Sequence, residues 1–393
     1  MAGRIRGASV GVDVAVIGAG VHGCAAAARL SARGASTVVI DKGPAAGGPT
    51  GRSSAMCRAY YSNPFLAQVA RESIDILRDF ESWSGGGYSD YRTTGLLFLH
   101  PPEDAADLGA NARMLEAVGT RVELLEPDRI ADLVPGIDAS GLGPCVWEPL
   151  AGPADPSSTT LGLLAMAKAG GAVTSLYNAA RLIELRQGGG VRLTTDEGVI
   201  EADRLLIAAG PWTRELALQL DVDLPLTVER HYVTTNDWGT AEPIRVSIAD
   251  IVNGFYLVGE GATRFGLGQL FDEPAVDPHH FSEHVTADEQ LCMAGAAARR
   301  MPALMGARAA GGWASLYDVS PDWQPVIGEI APDVFVDAGT SGHGFKLAPV
   351  LGRHVADLVL DGVPTPGLEQ FHPSRFTTGT EIKGGYGRAR ILG

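Results

Sequence analysis

Three stretches of this chain combine residue types and spacings that can do chemistry. GTSGHGFK, from Gly339 to Lys346, follows the apolar run DVFVDA and precedes LAPVLGRHVADLVLDG, whose apolar residues recur at helical spacing. A glycine-rich turn between strand and helix lets the backbone approach a ligand, and the bare N–H groups at a helix start favour an anion. A second turn, GAGVHG, lies between the apolar run VDVAVI and an Ala-rich helix stopping near Gly34. In the order strand, G-x-G-x-x-G, helix, Gly18 permits the tight turn, Gly20 brings the backbone up to a pyrophosphate, and Gly23 lets the helix pack on the strand. The next strand, STVVID, ends at Asp41, about 20 residues on, where a carboxylate accepts from a ribose hydroxyl. His22 reads as a packing or solvent residue. In the third stretch, TGRSSAMCRAYYSNPF, Asn63 and Pro64 read as the N-cap and first residue of a long amphipathic helix. Arg58 then sits on the loop entering that helix, where side chains are presented to ligands.

The elements that position these residues decide between NAD and FAD, which both fit the first fingerprint. EADRLLIAAGPWT, Glu201 to Thr213, is a strand running into Ala-Gly-Pro-Trp after the hairpin-like VRLTTDEGVIEA. With the strand at 334–338 it implies a nucleotide-binding layer assembled from three separated segments, the interleaving of a flavoprotein, with Gly210 and Trp212 on its cofactor side. From LPLTVERHYVTTNDW through RVSIADIVNGFYLVGEGATRFGLGQL, alternating apolar and polar residues between Gly turns predict an antiparallel sheet. Thr286 and Glu289 have the spacing of a capping box opening an outer helix.

Composition narrows the function classes. The 393 residues exceed a single hydrophobic core, and 45% apolar with 20% charged residues suits a soluble protein. A net charge of -15 without a clustered Lys/Arg surface argues against nucleic acid. Cys24, Cys57, Cys145 and Cys292 show no zinc or disulfide spacing, so no metal is expected. The N-terminus lacks a signal-peptide pattern, and the most apolar window, from Val14 to Leu30, is broken by Gly18, Gly20, His22 and Gly23. No membrane partner is expected, and the expected compartment is the cytoplasm. The Gly-rich tail 376–393 reads as an arm packed on the surface or on a neighbouring subunit.

The chain resembles the glycine oxidase, sarcosine oxidase and D-amino acid oxidase group of FAD-dependent amine oxidoreductases over about residues 12–372. VIGAGVHG, TGRSSAMCRAYYS, LLIAAGPWT, and YDVSPDWQPVIG followed by GTSGHGFK carry the likeness, which is greatest to the monomeric sarcosine oxidase and dimethylglycine dehydrogenase branch. It implies an α/β fold, a Rossmann-like FAD-binding domain (1–85, 145–222 and 320–375) with an inserted, mainly antiparallel substrate sheet (86–144 and 223–319). Gly342, His343, Gly344, Phe345 and Lys346 would then lie beside the flavin ring, and Arg52, Ser53 and Ser54 would touch flavin or its diphosphate. Arg58 and Lys346 would bind the carboxylate of a small amino acid substrate, and Tyr256 would face it; Glu229, Arg230 and His231 are further wall candidates. Two departures stand out. Ser315 replaces the cysteine that holds flavin covalently in monomeric sarcosine oxidases, so FAD is expected to be non-covalent. Gly266 replaces a lysine that activates oxygen, with Arg264 as its possible substitute, which leaves oxygen and another electron acceptor both open. The expected reaction is oxidation of an N-methyl, cyclic or D-amino acid to an imine. A flavin-dependent 2-hydroxy acid dehydrogenase, with His343 or His231 as its base, a non-catalytic FAD-binding subunit and a nicotinamide-dependent reductase are the rival readings.

Overall fold

The computed structural model describes residues 10–385 and Arg390. Its first sheet grows around Val10–Ile17, which pairs in parallel with Thr37–Asp41 on one side and Gly198–Ile207 on the other. Val334–Ala338 adds in parallel beyond Gly198–Ile207, and Val173–Leu176 beyond Thr37–Asp41. These strands read as near-continuous apolar runs because both faces are covered. Val14, Val16, Val39 and Leu206 pack toward the helices, whereas Ala15, Ile17, Val38, Ile40, Leu205 and Ile207 join a core on the other face with Ile183 and Leu193. The last two come from the hairpin-linked strands Ala180–Leu185 and Val191–Thr195. Helix Val21–Ala32 packs between Pro156–Ala169 and Ala348–Asp361. The approach to the latter is close enough that a Cβ on Gly352 would lie 2.5 Å from that of Ala25.

The second sheet runs, by pairing, Arg308–Val319, Thr227–Asp237, Arg264–Gln269, Phe255–Glu260, Ser247–Asp250, Leu96–Leu99, Cys145–Glu148, Glu123–Leu125. It is antiparallel except where Ser247–Asp250 meets Leu96–Leu99. One face is closed by helix Ala287–Arg300, which carries the expected capping box and buries Met293, Ala296 and Ala297 against Leu257 and Phe265. The other face looks toward the first sheet, with Phe98 and Ala249 in the core shared with it. Among the described residues the chain is thus an α/β protein of two large sheets with the second inserted, as expected, and a two-stranded pair, Met56–Cys57 with Gly152–Pro153.

One boundary needs correcting. Cys145–Glu148, expected in the nucleotide layer, instead pairs from Leu96↔Glu148 to Phe98↔Val146, so the second sheet keeps the chain through Glu148. A short apolar strand carries no sign of which sheet it joins. Of the tail, 376–385 docks on the chain itself through Ile382 N–H to Asp322 (3.1 Å) and Gly385 N–H to Ser62 (3.0 Å). The remainder of that tail apart from Arg390, and residues 1–9 of the expected cofactor domain, lie outside the described residues. No helix among the described residues is long and apolar enough to cross a membrane, and none of their His, Cys, Asp and Glu side chains cluster in threes to hold a metal.

Candidate active site

The first glycine turn is shaped by contacts that only glycine tolerates. Gly18 has φ 116°, and a Cβ there would lie 2.2 Å from Ala208 O; on Gly23 it would lie 2.0 Å from Gly18 O. Gly20 is the N-cap of helix Val21–Ala32. At the end of the second strand, Asp41 accepts from the N–H groups of Ala19 and Gly43, both at 2.7 Å. Burial raises its pKa while those N–H groups pull the other way. These residues open a cleft of about 480 Å³ that passes Trp212 and Arg52 and reaches Gly342, Gly344 and Phe345 between the two sheets. Lys42 Nζ sits 3.3 Å over the Trp212 ring.

The cleft suits FAD, which the resemblance implies. It is long, begins on a glycine-lined helix N-terminus, and its walls leave buried polar atoms unmatched. Trp212 Nε1, Asp337 Oδ1 and His231 Nδ1 have no hydrogen-bond partner among the described residues, and all three residues line the cleft. Buried polar atoms in native proteins are almost always paired, so a ligand carrying both donors and acceptors fits here. Gly18, Gly20, Asp41, Arg52, Ser53, Ser54, Gly210, Trp212, Gly342, Gly344 and Phe345 all line it. His22, expected as a packing or solvent residue, is only partly exposed and bridges the site, bonding Asp337 Oδ2 (2.9 Å) and Gly344 O (3.1 Å).

At its inner end the cleft continues into a chamber of about 70 Å³, sharing Ser53, Ser54, Tyr256 and Tyr317 with it. Here the chain brings together Arg58, Tyr256, and the His343 and Lys346 of one glycine-rich turn, from three separate stretches. Asn63 caps the helix as expected, its side chain accepting from Phe65 and Leu66 N–H. Arg58 is buried just upstream; its guanidinium donates to Tyr60 O and lies 4.5 Å from the Tyr61 ring centre. Lys346 Nζ donates to His343 O at 3.2 Å. Burial first, and then the nearby Arg58 charge, hold this amine well below the usual lysine range. Tyr256 OH accepts from Ser54 Oγ at 2.9 Å, and burial pushes its phenol up to about 12. Its ring crosses Gly268, where a Cβ would lie 2.1 Å from Tyr256 Cζ.

Other candidates stand differently. His343 gives Nε2–H to Trp323 O (2.8 Å), so its Nδ1 accepts from Tyr61 OH (3.1 Å). Burial, with Lys346 adding to it, pushes its pKa well down. With both ring nitrogens engaged, His343 braces the turn and does not offer a base. His231 Nε2 bonds Glu229 at 2.9 Å, and the ring stacks on Tyr317 in the cleft wall. Arg230 instead pairs with Glu289 at the outer helix. Arg52 pairs with Glu283 at the rim (2.9 Å). Arg264 cannot stand in for a lysine over the flavin: it is exposed and paired with Asp237 (3.0 Å), and neither it nor Gly266 lines the cleft or the chamber. On that strand the Arg264 side chain emerges at the exposed end, which strand parity alone does not reveal. Glu148 went unnoticed in the sequence. It is buried, accepts from Ala59 N–H (2.6 Å) and Tyr60 N–H (3.1 Å), and burial pushes its carboxyl up to about 7.

Comparison with known proteins shows the family and the fold. The family model described as DAO, FAD dependent oxidoreductase, matches residues 13–358. The 4-methylaminobutanoate oxidase (formaldehyde-forming) of Paenarthrobacter nicotinovorans is 26% identical over 91% of this chain and 44% of its own length. The chain therefore spans less than half of that relative. The monomeric sarcosine oxidase of Streptomyces avermitilis is 28% identical over 92% of this chain and 97% of its own. Among solved structures, L-proline dehydrogenase from P.horikoshii shares the fold with a TM-score of 0.86, at 24% identity, covering 95% of this chain and 99% of that one.

Proposed function

Because the chain belongs to the DAO family of FAD-dependent oxidoreductases, we propose that it oxidises a small amine bearing a carboxylate, an N-methyl, cyclic or D-amino acid, to the imine. The observation that carries this reading is the meeting of Arg58 and Lys346 in the chamber at the inner end of the cleft. Residues 10–85, 149–222 and 320–375 form the cofactor layer in this reading, and 86–148 and 223–319 the substrate layer. Bound FAD supplies the two-electron acceptor for the hydride on the carbon next to nitrogen. The chain's own part is to bind, orient and keep water out. Two cations on one carboxylate fix the substrate's position, Tyr256 and Phe98 wall it in, and Lys346 is protonated when the anion arrives. A neutral amine needs no base to lose a hydride, and this suits a chamber in which His343 has no nitrogen to spare. A 2-hydroxy acid would require one.

The test combines a substrate panel with the clamp. N-methyl, cyclic and D-amino acids should bleach the anaerobic holoenzyme, and 2-hydroxy acids should not; the reverse pattern would replace the reading. Replacing Arg58 or Lys346 by an uncharged residue should leave the flavin spectrum intact while weakening carboxylate inhibitors roughly ten- to a hundredfold. This corresponds to about 1.5–3 kcal/mol for a charge-assisted hydrogen bond. The double variant should lose less than the sum because both cations share one partner.

A further inference from the structure

Glu148 sits where no positive role in substrate binding is obvious. It ends the strand Cys145–Glu148 and is 2% exposed, with its two oxygens on the N–H groups of the two residues that follow Arg58. An acid buried behind a carboxylate-binding site occupies the field that the ligand is meant to fill. Charges close together in a low-dielectric interior interact strongly, and the Arg58 and Lys346 cations both act on Glu148.

We infer that Glu148 competes with the substrate carboxylate for the Arg58 and Lys346 charges, so that a carboxylate enters the chamber together with a proton that Glu148 takes up from solvent. The inference rests on the reading of Arg58 and Lys346 as the carboxylate clamp. In the empty site an ionised Glu148 offsets positive charge at the pair, where burial and the Arg58 charge already hold the Lys346 amine well below the usual lysine range. When the ligand carboxylate arrives, two anions face the same pair, and the one that can be neutralised most easily is protonated. That one is Glu148, which is buried and held by the Ala59 and Tyr60 N–H groups with no ion pair among the described residues, burial also raising its pKa, whereas the ligand keeps direct contact with the cations. The proton goes to Oε2, whose bond to Tyr60 N–H is the longer of the two. Besides Arg58 and Lys346, the titratable groups facing Glu148 among the described residues are Cys57 and Tyr61 on the Arg58 loop and Tyr91 on the loop before Leu96–Leu99. Burial raises all three, so they stay uncharged through neutral pH. Among the described residues, Lys346 is the one other group whose titration could produce a similar dependence.

The experiment separates them. Propanoate binding to the holoenzyme is titrated from pH 6 to 9 in the wild type, Lys346→Met, and Lys346→Met/Glu148→Gln. The dissociation constant of the wild type should rise as pH passes about 7, approaching tenfold per pH unit. Lys346→Met should bind more weakly but keep the slope, and adding Glu148→Gln should flatten it. A flat profile in Lys346→Met, or an unchanged slope in the double variant, overturns the inference. Where a variant does not fold, the wild type still decides: its infrared difference spectrum on binding propanoate at pH 8 should gain a protonated-carboxyl band, and its absence overturns the inference. Failure of the underlying reading shows separately, as propanoate affinity indifferent to loss of both Arg58 and Lys346.

Discussion

Gly342 has φ 79°, and a Cβ there would lie 2.2 Å from the Tyr317 ring. Tyr317 cannot yield freely because its ring stacks on His231, with ring centres 4.0 Å apart. Gly342→Ala should therefore cost about 1–3 kcal/mol of local strain and weaken flavin and carboxylate inhibitors together, since this turn borders both cleft and chamber. Thermal melting and a flavin titration of the apoprotein check it, and unaltered flavin affinity would show that the turn does not shape the cofactor site. At this scale the sequence was informative where chemistry sits in a local pattern. Arg58 beside a predicted helix cap and Lys346 after a glycine turn were both legible. Glu148 was not, because it acts on Ala59 from 89 residues away in sequence, and nothing in its local sequence WEPL marks an acid that will be buried. The same limit applies to His22, which joins Asp337 and Gly344 across the whole chain.

Among the elements, the short C-terminal helix Arg375–Thr378 is too small to hold itself in place. Arg375 anchors it, donating to both carboxylate oxygens of buried Asp322 at 2.7 and 2.9 Å and to the backbone of Phe371 and Gln324. Burial alone would raise the Asp322 pKa, but the Arg375 hydrogen bonds and charge bring it below the usual carboxylate value. A depressed folded pKa means stabilisation that is full above the unfolded value of about 3.9 and lost as pH falls through the folded one. Arg375→Met should cost roughly 3–5 kcal/mol at pH 7 by leaving a buried carboxylate unpaired. The gap from wild type should narrow below about pH 4. Urea melts at pH 7 and in that acid range check both parts; a gap that stays constant with pH would mean that Asp322 is not the titrating partner. The Asn63 cap and the Thr286/Glu289 capping box were readable from sequence because caps span three residues. The Arg375–Asp322 pair was not, since its partners are 53 residues apart.

For the whole molecule, the cleft lies between two sheets whose faces share one core, so an occupant of the cleft ties both layers together. Removing FAD should lower the melting temperature, and restoring it at about a hundred times its dissociation constant should return about 2.7 kcal/mol. Acid precipitation should release the flavin to the supernatant, because Ser315 in the cleft wall offers no thiol for a thioether. Colour remaining in the pellet would count against non-covalent binding. By itself, the sequence determined the glycine turns, the first βαβ unit, the helix caps and the division into two sheets. These follow from periodicity, φ preferences and hydrogen bonds between near neighbours, all of which are encoded within a few residues. The tertiary structure decided which sheet receives Cys145–Glu148, that Arg264 faces solvent, and that Glu148 is buried on the N–H groups of the two residues after Arg58. Those outcomes depend on strand pairing and burial between segments far apart in the chain, and on electrostatic interactions that become strong only once packing has excluded water.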